Sequence, residues 1–230
     1  MSNDANNWVL ITGANRGLGS KLCRKFLEAD RNVLAVSRQG RCAQNIADNI
    51  RSGKGMIRDQ RCDLGQRVDI ESLINDVSGL KLGGIICNAA IYSDKPFSGT
   101  SVDEVCELCE VNAWSHLRII KGLDGCLTPG ASIVFINSIG INMTADKEFA
   151  YILSKKILSG IADGLQFHFG KRGVSVISVL LGGIRTDMAQ GRQGLENFID
   201  PDEAAAAVVS MCSLGESVRC RTIEILRRKY

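Results

Sequence analysis

Short apolar runs alternate with amphipathic stretches along this chain from residue 8 to residue 226, and that alternation constrains the fold more than any other feature. Runs of about four to eight apolar residues, rich in β-branched side chains, read as strands, while apolar residues three and four apart read as helices. Strands are expected at 8–12, 32–37, 55–62, 84–88, 131–138, 174–181 and 222–226. Helices are expected at 17–29, 41–50, 68–77, 102–123, 149–169 and 202–211. Strands separated by helices pair in parallel through right-handed crossovers. The expected fold class is therefore α/β, a doubly wound, mostly parallel sheet of about seven strands with helices on both faces and ligands at the carboxyl ends of the strands. No linker, repeat or low-complexity segment interrupts the 230 residues, so the chain reads as one domain.

Charge and composition exclude several classes. The net charge is only +3, and the basic stretches at 51–61 and 218–230 lack aromatic interleaving and any binding motif. They read as solvated surface, and no nucleic-acid partner is expected. No run of about 18 apolar residues is present to span a membrane, and the N-terminus lacks the basic and apolar regions of a signal peptide. A cytoplasmic protein without a membrane partner is expected. Its nine cysteines then read as reduced thiols. Cys106 and Cys109 form the only CxxC, and the two histidines, His116 and His168, supply no HxxxH arm, so no metal is expected and burial on a helix accounts better for the pair.

Two local patterns carry chemistry. The first apolar run ends at Thr12 and passes into Gly13-Ala14-Asn15-Arg16-Gly17-Leu18-Gly19, after which a helix begins. Strand, glycine-rich turn and helix N-terminus in that order make a phosphate cradle. The glycines let the backbone approach a pyrophosphate, and the helix end offers free N–H groups with a partial positive charge. In Tyr151-Ile152-Leu153-Ser154-Lys155, a helix points Tyr151 and Lys155 from one face into one site. A phenol loses its proton near pH ~10, and a neighbouring ammonium favours the phenolate, bringing proton exchange with a substrate oxygen toward the physiological range.

Three further sets accompany these patterns: Asn88-Ala89-Ala90 closing the fourth apolar run, Asn112 in the fourth expected helix, and Ser138 ending the fifth run. In this order and spacing, from residue 8 to residue 188, the chain resembles the short-chain dehydrogenase/reductase family in its compact single-domain branch. The glycine turn resembles that family's TGxxxGxG cofactor motif, with Asn15, Arg16 and Leu18 between the glycines. Asn88-Ala89-Ala90 resembles its NAG motif, and Tyr151 with Lys155 its YxxxK pair. The resemblance implies a Rossmann-type NAD(P)-binding domain that also holds the catalytic and substrate-binding residues. It implies an oxidoreductase moving a hydride between a nicotinamide and a small carbonyl or alcohol substrate. In that mechanism Tyr151 protonates the carbonyl oxygen, or deprotonates the alcohol in reverse. Lys155 lowers the tyrosine pKa and binds the nicotinamide ribose, Ser138 donates to the substrate oxygen, and Asn112 holds a water linking Lys155 to solvent. A strand-end capping serine and a helix-bending asparagine compete as readings of Ser138 and Asn112. Asp63-Leu64 resembles the family's adenine-contacting pair, with a helix N-cap as the alternative for Asp63. Gly182, Ile184 and Thr186 stand where relatives contact the nicotinamide carboxamide.

Cofactor choice follows from charge. An acid after the second strand of a dinucleotide fold binds ribose hydroxyls, whereas an arginine accommodates a 2′-phosphate. Here Val33–Val36 are followed by Ser37-Arg38 and no acid, and Arg16 is a second cation for the same phosphate, so NADP(H) is expected over NAD. Three departures from the family stand out. Leu181-Gly182 replaces Pro-Gly, which is expected to loosen the floor under the carboxamide. Residues 187–200 are short for a lid, and the C-terminus lacks the Asp-Gly-Gly of tetrameric relatives. A homodimer through the helices bearing Asn112 and Tyr151 is expected, with a tetramer in doubt. Residues 139–148 are expected to line the substrate pocket, Asp146, Lys147 and Glu148 admitting a polar ligand and Ile141 and Met143 an apolar one. Two classes remain: an NADPH-dependent carbonyl reductase and a non-catalytic NADPH-binding or sensing protein.

Overall fold

A computed structural model describes residues 7–42, 46, 55–143, 147–215 and 217–228. In chain order its main elements are β1 (Asn7–Thr12), α1 (Gly17–Glu28), β2 (Asn32–Ser37), β3 (Ile57–Arg61), α2 (Arg67–Val77), β4 (Lys81–Cys87) and α3 (Val102–Cys109). A π-helical segment, Glu110–Trp114, joins α3 to α4 (Ser115–Gly122). There follow β5 (Leu127–Ser138), α5 (Phe149–Gly170), β6 (Ser175–Leu181), α6 (Pro201–Met211) and β7 (Thr222–Ile225). The strands form one sheet in the order β3-β2-β1-β4-β5-β6-β7. Every neighbouring pair is parallel. The Rossmann-type, doubly wound α/β fold read from the sequence is therefore the fold of the chain.

Alternate residues of the central strands face opposite cores, as the two-residue period of a strand requires. Leu10, Leu34, Ile85 and Phe135 pack against Leu73 of α2, Ile119 of α4 and Leu158 of α5. Val9, Ile11, Val33, Ile86 and Val134 pack against Leu22 and Phe26 of α1 and Val208 of α6. Chain direction diverges from β1: β2 and β3 lie on one side, β4 to β7 on the other. That switch point opens a crevice at the carboxyl ends of β1 and β4, where such folds bind ligands.

Local differences from the sequence reading have physical causes. The expected strand at 55–62 is Ile57–Arg61. The expected helix at 41–50 falls largely outside the described residues. The helix expected at 102–123 is interrupted by the π segment, in which Ser115 N–H reaches Glu110 O one residue further back than an α-helix allows. β5 begins at Leu127, earlier than expected, because Thr128–Ala131 form an excursion: Leu82 pairs Leu127, but Gly84 pairs Ser132. α6 starts where its sequence says it should, with Asp200 accepting Asp202 N–H at 2.8 Å and Pro201 in the first turn. Among the described residues, no helix is long and apolar enough to cross a membrane.

Candidate active site

A cavity of about 720 Å³ runs across the carboxyl ends of the strands, from the glycine-rich turn to Tyr151. At its first end the backbone demands glycine twice. Gly17 has φ +55°, and a Cβ on Gly19 would stand 2.1 Å from Gly13 O. Asn88 fixes this turn, its Nδ2 donating to Thr12 O at 2.8 Å while its own N–H and that of Ala89 donate to Thr12 Oγ1 at 3.0 and 3.1 Å. No side chain caps the N-terminus of α1, so its first N–H groups stay available to an anion.

Farther along the groove, Arg38 is exposed and makes no ion pair among the described residues. Arg16 meets Asp187 at 3.4 Å, but the two side chains are 72% and 59% exposed, and a pair in so much solvent holds Arg16 only weakly. Asn15 donates to Gln39 Oε1 at 3.4 Å. The Ser37 hydroxyl is buried in its own turn, accepting Gly40 N–H at 3.0 Å and facing Cys42 Sγ at 3.1 Å. Asp63 Oδ1 accepts Gly65 N–H at 3.0 Å, and Gln66, not Asp63, is the residue before α2, so the N-cap alternative fails. Leu64 is buried beside it and, like Asp63, lines the cavity.

The opposite wall carries Gly182, Ile184 and Thr186, with the Thr186 methyl 3.3 Å from where a Gly17 Cβ would be. The floor that the absent proline was expected to loosen is instead held by the sheet. Leu181 pairs with Ser138 on one side and Ile225 on the other, and Gly182 N–H, the next along the chain, donates to Ile225 O at 2.9 Å.

Ser138, Tyr151 and Lys155 converge at the far end. Ser138 Oγ accepts Gly140 N–H at 3.1 Å and faces the Tyr151 side chain closely enough to pull its pKa down. Lys155 is buried, its ammonium 5.7 Å from the centre of the Tyr151 ring and donating to Ile136 O at 2.8 Å. Burial pushes Lys155 down to about 8. The phenol moves opposite to expectation. Burial first, then the Glu148 carboxylate, push Tyr151 up to about 12, against weaker pulls from Ser138 and Arg192. The sequence weighed the cation and could not see the desolvation.

Asn112 ties loop and helix together: its Nδ2 donates to Ile91 O and Ser154 Oγ, each at 2.9 Å, and its Oδ1 accepts Ile91 N–H at 2.8 Å.

Several cavity residues carried no motif. Arg192 crosses from the 187–200 loop to Glu148 Oε1 at 2.9 Å, the same oxygen that accepts the Tyr92 hydroxyl at 2.6 Å. The Tyr92 ring stands edge-on to Tyr151 at 5.1 Å. Glu148 holds this position at φ +64°, a left-handed conformation uncommon for a residue with a side chain and found at functional sites. Asn137 Nδ2 is buried without a hydrogen-bond partner in the strand end that lines the cavity. Of the expected 139–148 lining, Ile139, Gly140, Met143 and Glu148 reach the cavity; Ile141 does not, and Asp146 lies outside the described residues.

A dinucleotide fits this donor set. The helix end and crowded glycines suit a pyrophosphate, the exposed Arg38 suits a 2′-phosphate, and the Asn137 amide, without a partner among the described residues, suits a polar acceptor at the inner end. Comparison with known proteins points the same way. A family model described as short chain dehydrogenase matches residues 7–196. An uncharacterized oxidoreductase of Mycobacterium tuberculosis (strain ATCC 25618 / H37Rv) is 29% identical over 212 residues, 87% of this chain and 62% of that protein, so the chain spans less than two thirds of that relative. A 1-hydroxy-2-glutathionyl-2-methyl-3-butene dehydrogenase of Rhodococcus sp. (strain AD45) is 26% identical over 209 residues, 87% of this chain and 88% of that one. The crystal structure of an angucycline C-6 ketoreductase with bound NADP superposes with a TM-score of 0.83 at 21% identity, covering 96% of this chain and 94% of its own.

Proposed function

The chain belongs to the short-chain dehydrogenase family, and from that premise we propose that it is an NADPH-dependent oxidoreductase interconverting a small carbonyl compound and its alcohol. One observation carries the reading: Ser138, Tyr151 and Lys155 meet at the inner end of the same cavity whose outer end is the glycine-rich cradle. The ketoreductase neighbour with bound NADP supports the cofactor class, and Ser37-Arg38 without an acid supports the phosphorylated form.

Bound NADP(H) supplies or receives the hydride. Gly13, Gly17, Gly19 and the open end of α1 hold its pyrophosphate, Arg38 and Arg16 its 2′-phosphate, and Asp63 with Leu64 its adenine. Ser138 donates a hydrogen bond to the substrate oxygen, stabilising the negative charge that grows there. Tyr151, kept protonated at neutral pH by burial, gives that oxygen its proton. Lys155, still charged below about pH 8, holds positive charge beside the phenol as the proton leaves. In this role the ammonium acts on the transition state, where phenolate character develops, and not on the resting tyrosine. A homodimer through the rod bearing Asn112, formed by α3, the π segment and α4, together with α5 bearing Tyr151, belongs to the same proposal. Exposed Val102 and Trp114 on that rod support it, and sedimentation mass tests it.

The experiment is NADPH oxidation against ketones, quinones, oxoacyl thioesters and keto sugars. Turnover on one class establishes the reaction. Tight NADPH binding with no turnover on any class replaces it with a binding or sensing role.

A further inference from the structure

His116 has no part in that reaction, yet it is a fully buried imidazole in α4 placed between two parts of the site. Its Nε2 lies 3.1 Å from Thr12 Oγ1 at the end of β1, and its Nδ1 lies 3.2 Å from the backbone oxygen of Asn112 in the π segment. A carbonyl oxygen only accepts, so Nδ1 carries the hydrogen and Nε2 is an acceptor. Thr12 matches that tautomer. Its oxygen already accepts the N–H groups of Asn88 and Ala89 at 3.0 and 3.1 Å, so its own hydrogen is shared between Nε2 at 3.1 Å and the longer contact to Ile86 O at 3.3 Å. Burial, reinforced by the charge of Lys155, pushes the imidazole down to about 3, so the neutral form persists at any pH where the protein works.

Beyond Asn112 the connection continues into the catalytic helix. Asn112 Nδ2 donates to Ser154 Oγ at 2.9 Å, and Ser154 Oγ donates to Tyr151 O at 2.7 Å. Two hydrogen-bonded series, joined through the covalent frame of Asn112, thus run from Thr12, the residue that enters the glycine-rich turn, to the backbone of Tyr151. We propose that His116 is a positioning residue that couples occupancy of the glycine-rich cofactor turn to the placement of the helix bearing Tyr151 and Lys155. The coupling rests on the reading of this cavity as an NADPH site.

Two conservative variants each keep one link. His116→Gln sets an amide oxygen where Nε2 stands, and His116→Asn sets an amide N–H where Nδ1 stands. NADPH affinity is measured by fluorescence titration, and backbone hydrogen–deuterium exchange is followed with and without NADPH in wild type and both variants. In wild type, NADPH should slow exchange in both the 13–19 turn and the 149–155 helix. In each variant the turn should still be protected, while the helix loses about two- to tenfold of its NADPH-dependent protection, the worth of one neutral hydrogen bond. Thermal midpoints without NADPH should fall by a few degrees in each variant, the cost of one buried hydrogen bond left unmade. Full helix protection in both variants overturns the coupling and leaves the cofactor reading standing. Equal loss of protection in turn and helix reduces His116 to packing and overturns it too. Failure of wild type to bind NADPH removes the cofactor reading and the coupling together.

Discussion

At the residue scale, cofactor preference depends on one exposed guanidinium. Among the described residues Arg38 has no ion-pair partner to leave when a phosphate arrives, whereas Arg16 must turn from Asp187. Arg38→Asp should therefore weaken NADPH binding by about ten- to a hundredfold, the worth of a charge-assisted contact, while NADH binding changes little. Equal losses for both cofactors in a titration would show that no phosphate sits there. Tyr151→Phe removes one hydroxyl and keeps the ring, so turnover should drop by about a hundred- to ten-thousandfold with NADPH affinity nearly intact. A Phe variant retaining near-normal single-turnover rate would mean that Tyr151 is not the acid. The Tyr/Lys pair and the glycine turn were legible because spacing alone sets which side chains share a helix face. Glu148 was legible as pocket lining but its bonds to Tyr92 and Arg192 were not, nor were the positions of Arg192 and His116, because each acts through a neighbour distant in sequence.

At the element scale, all seven strands and most helices were legible from period two against period 3.6, yet the break inside the 102–123 helix was not. Glu110, Val111, Asn112, Ala113 and Trp114 are all compatible with an α-helix, and only the tertiary demand of Ile91 and Ser154 on the Asn112 side chain distinguishes the π geometry. The start of β5 was missed for a similar reason, since Pro129 and Gly130 interrupt the apolar run although the strand resumes its pairing past them. Asn112→Ala would leave the N–H and C=O of the half-buried Ile91 without their side-chain partner and remove the fully buried Ser154 contact. With about 1–3 kcal/mol for each buried group left unmade, the variant should lose roughly 2–5 kcal/mol of stability. Denaturant midpoints measure this directly. A loss below about 1 kcal/mol would mean that the Asn112 side chain is not what holds the 91 loop to the π segment.

At the scale of the whole molecule, the site opposes the fold that carries it. NADPH at a hundred times its dissociation constant should stabilise the folded chain by about 2.7 kcal/mol, visible as a rise in thermal midpoint. Lys155 acts in the opposite direction. Its folded pKa falls from 10.5 to about 8, so between those values the unfolded chain binds more protons than the native one and this group's contribution to stability rises with pH. Below about 8 both states are protonated, and burial of the ammonium costs its full amount, on the order of 3 kcal/mol. Lys155→Met keeps the bulk and removes the charge, at the expense of one hydrogen bond to Ile136 O worth roughly 1 kcal/mol. The variant should then be more stable than wild type at pH 7 without cofactor, by about 1–2 kcal/mol or a few degrees in thermal midpoint. That gain should shrink as pH rises from about 8 toward 10, because wild-type Lys155 sheds its proton there while methionine has none to lose. The same variant should lose turnover and part of its NADPH-dependent stabilisation. A Lys155→Met protein less stable than wild type at pH 7 would mean that the surrounding carbonyls and the Tyr151 ring already offset the buried charge, and that this lysine is no burden on the fold.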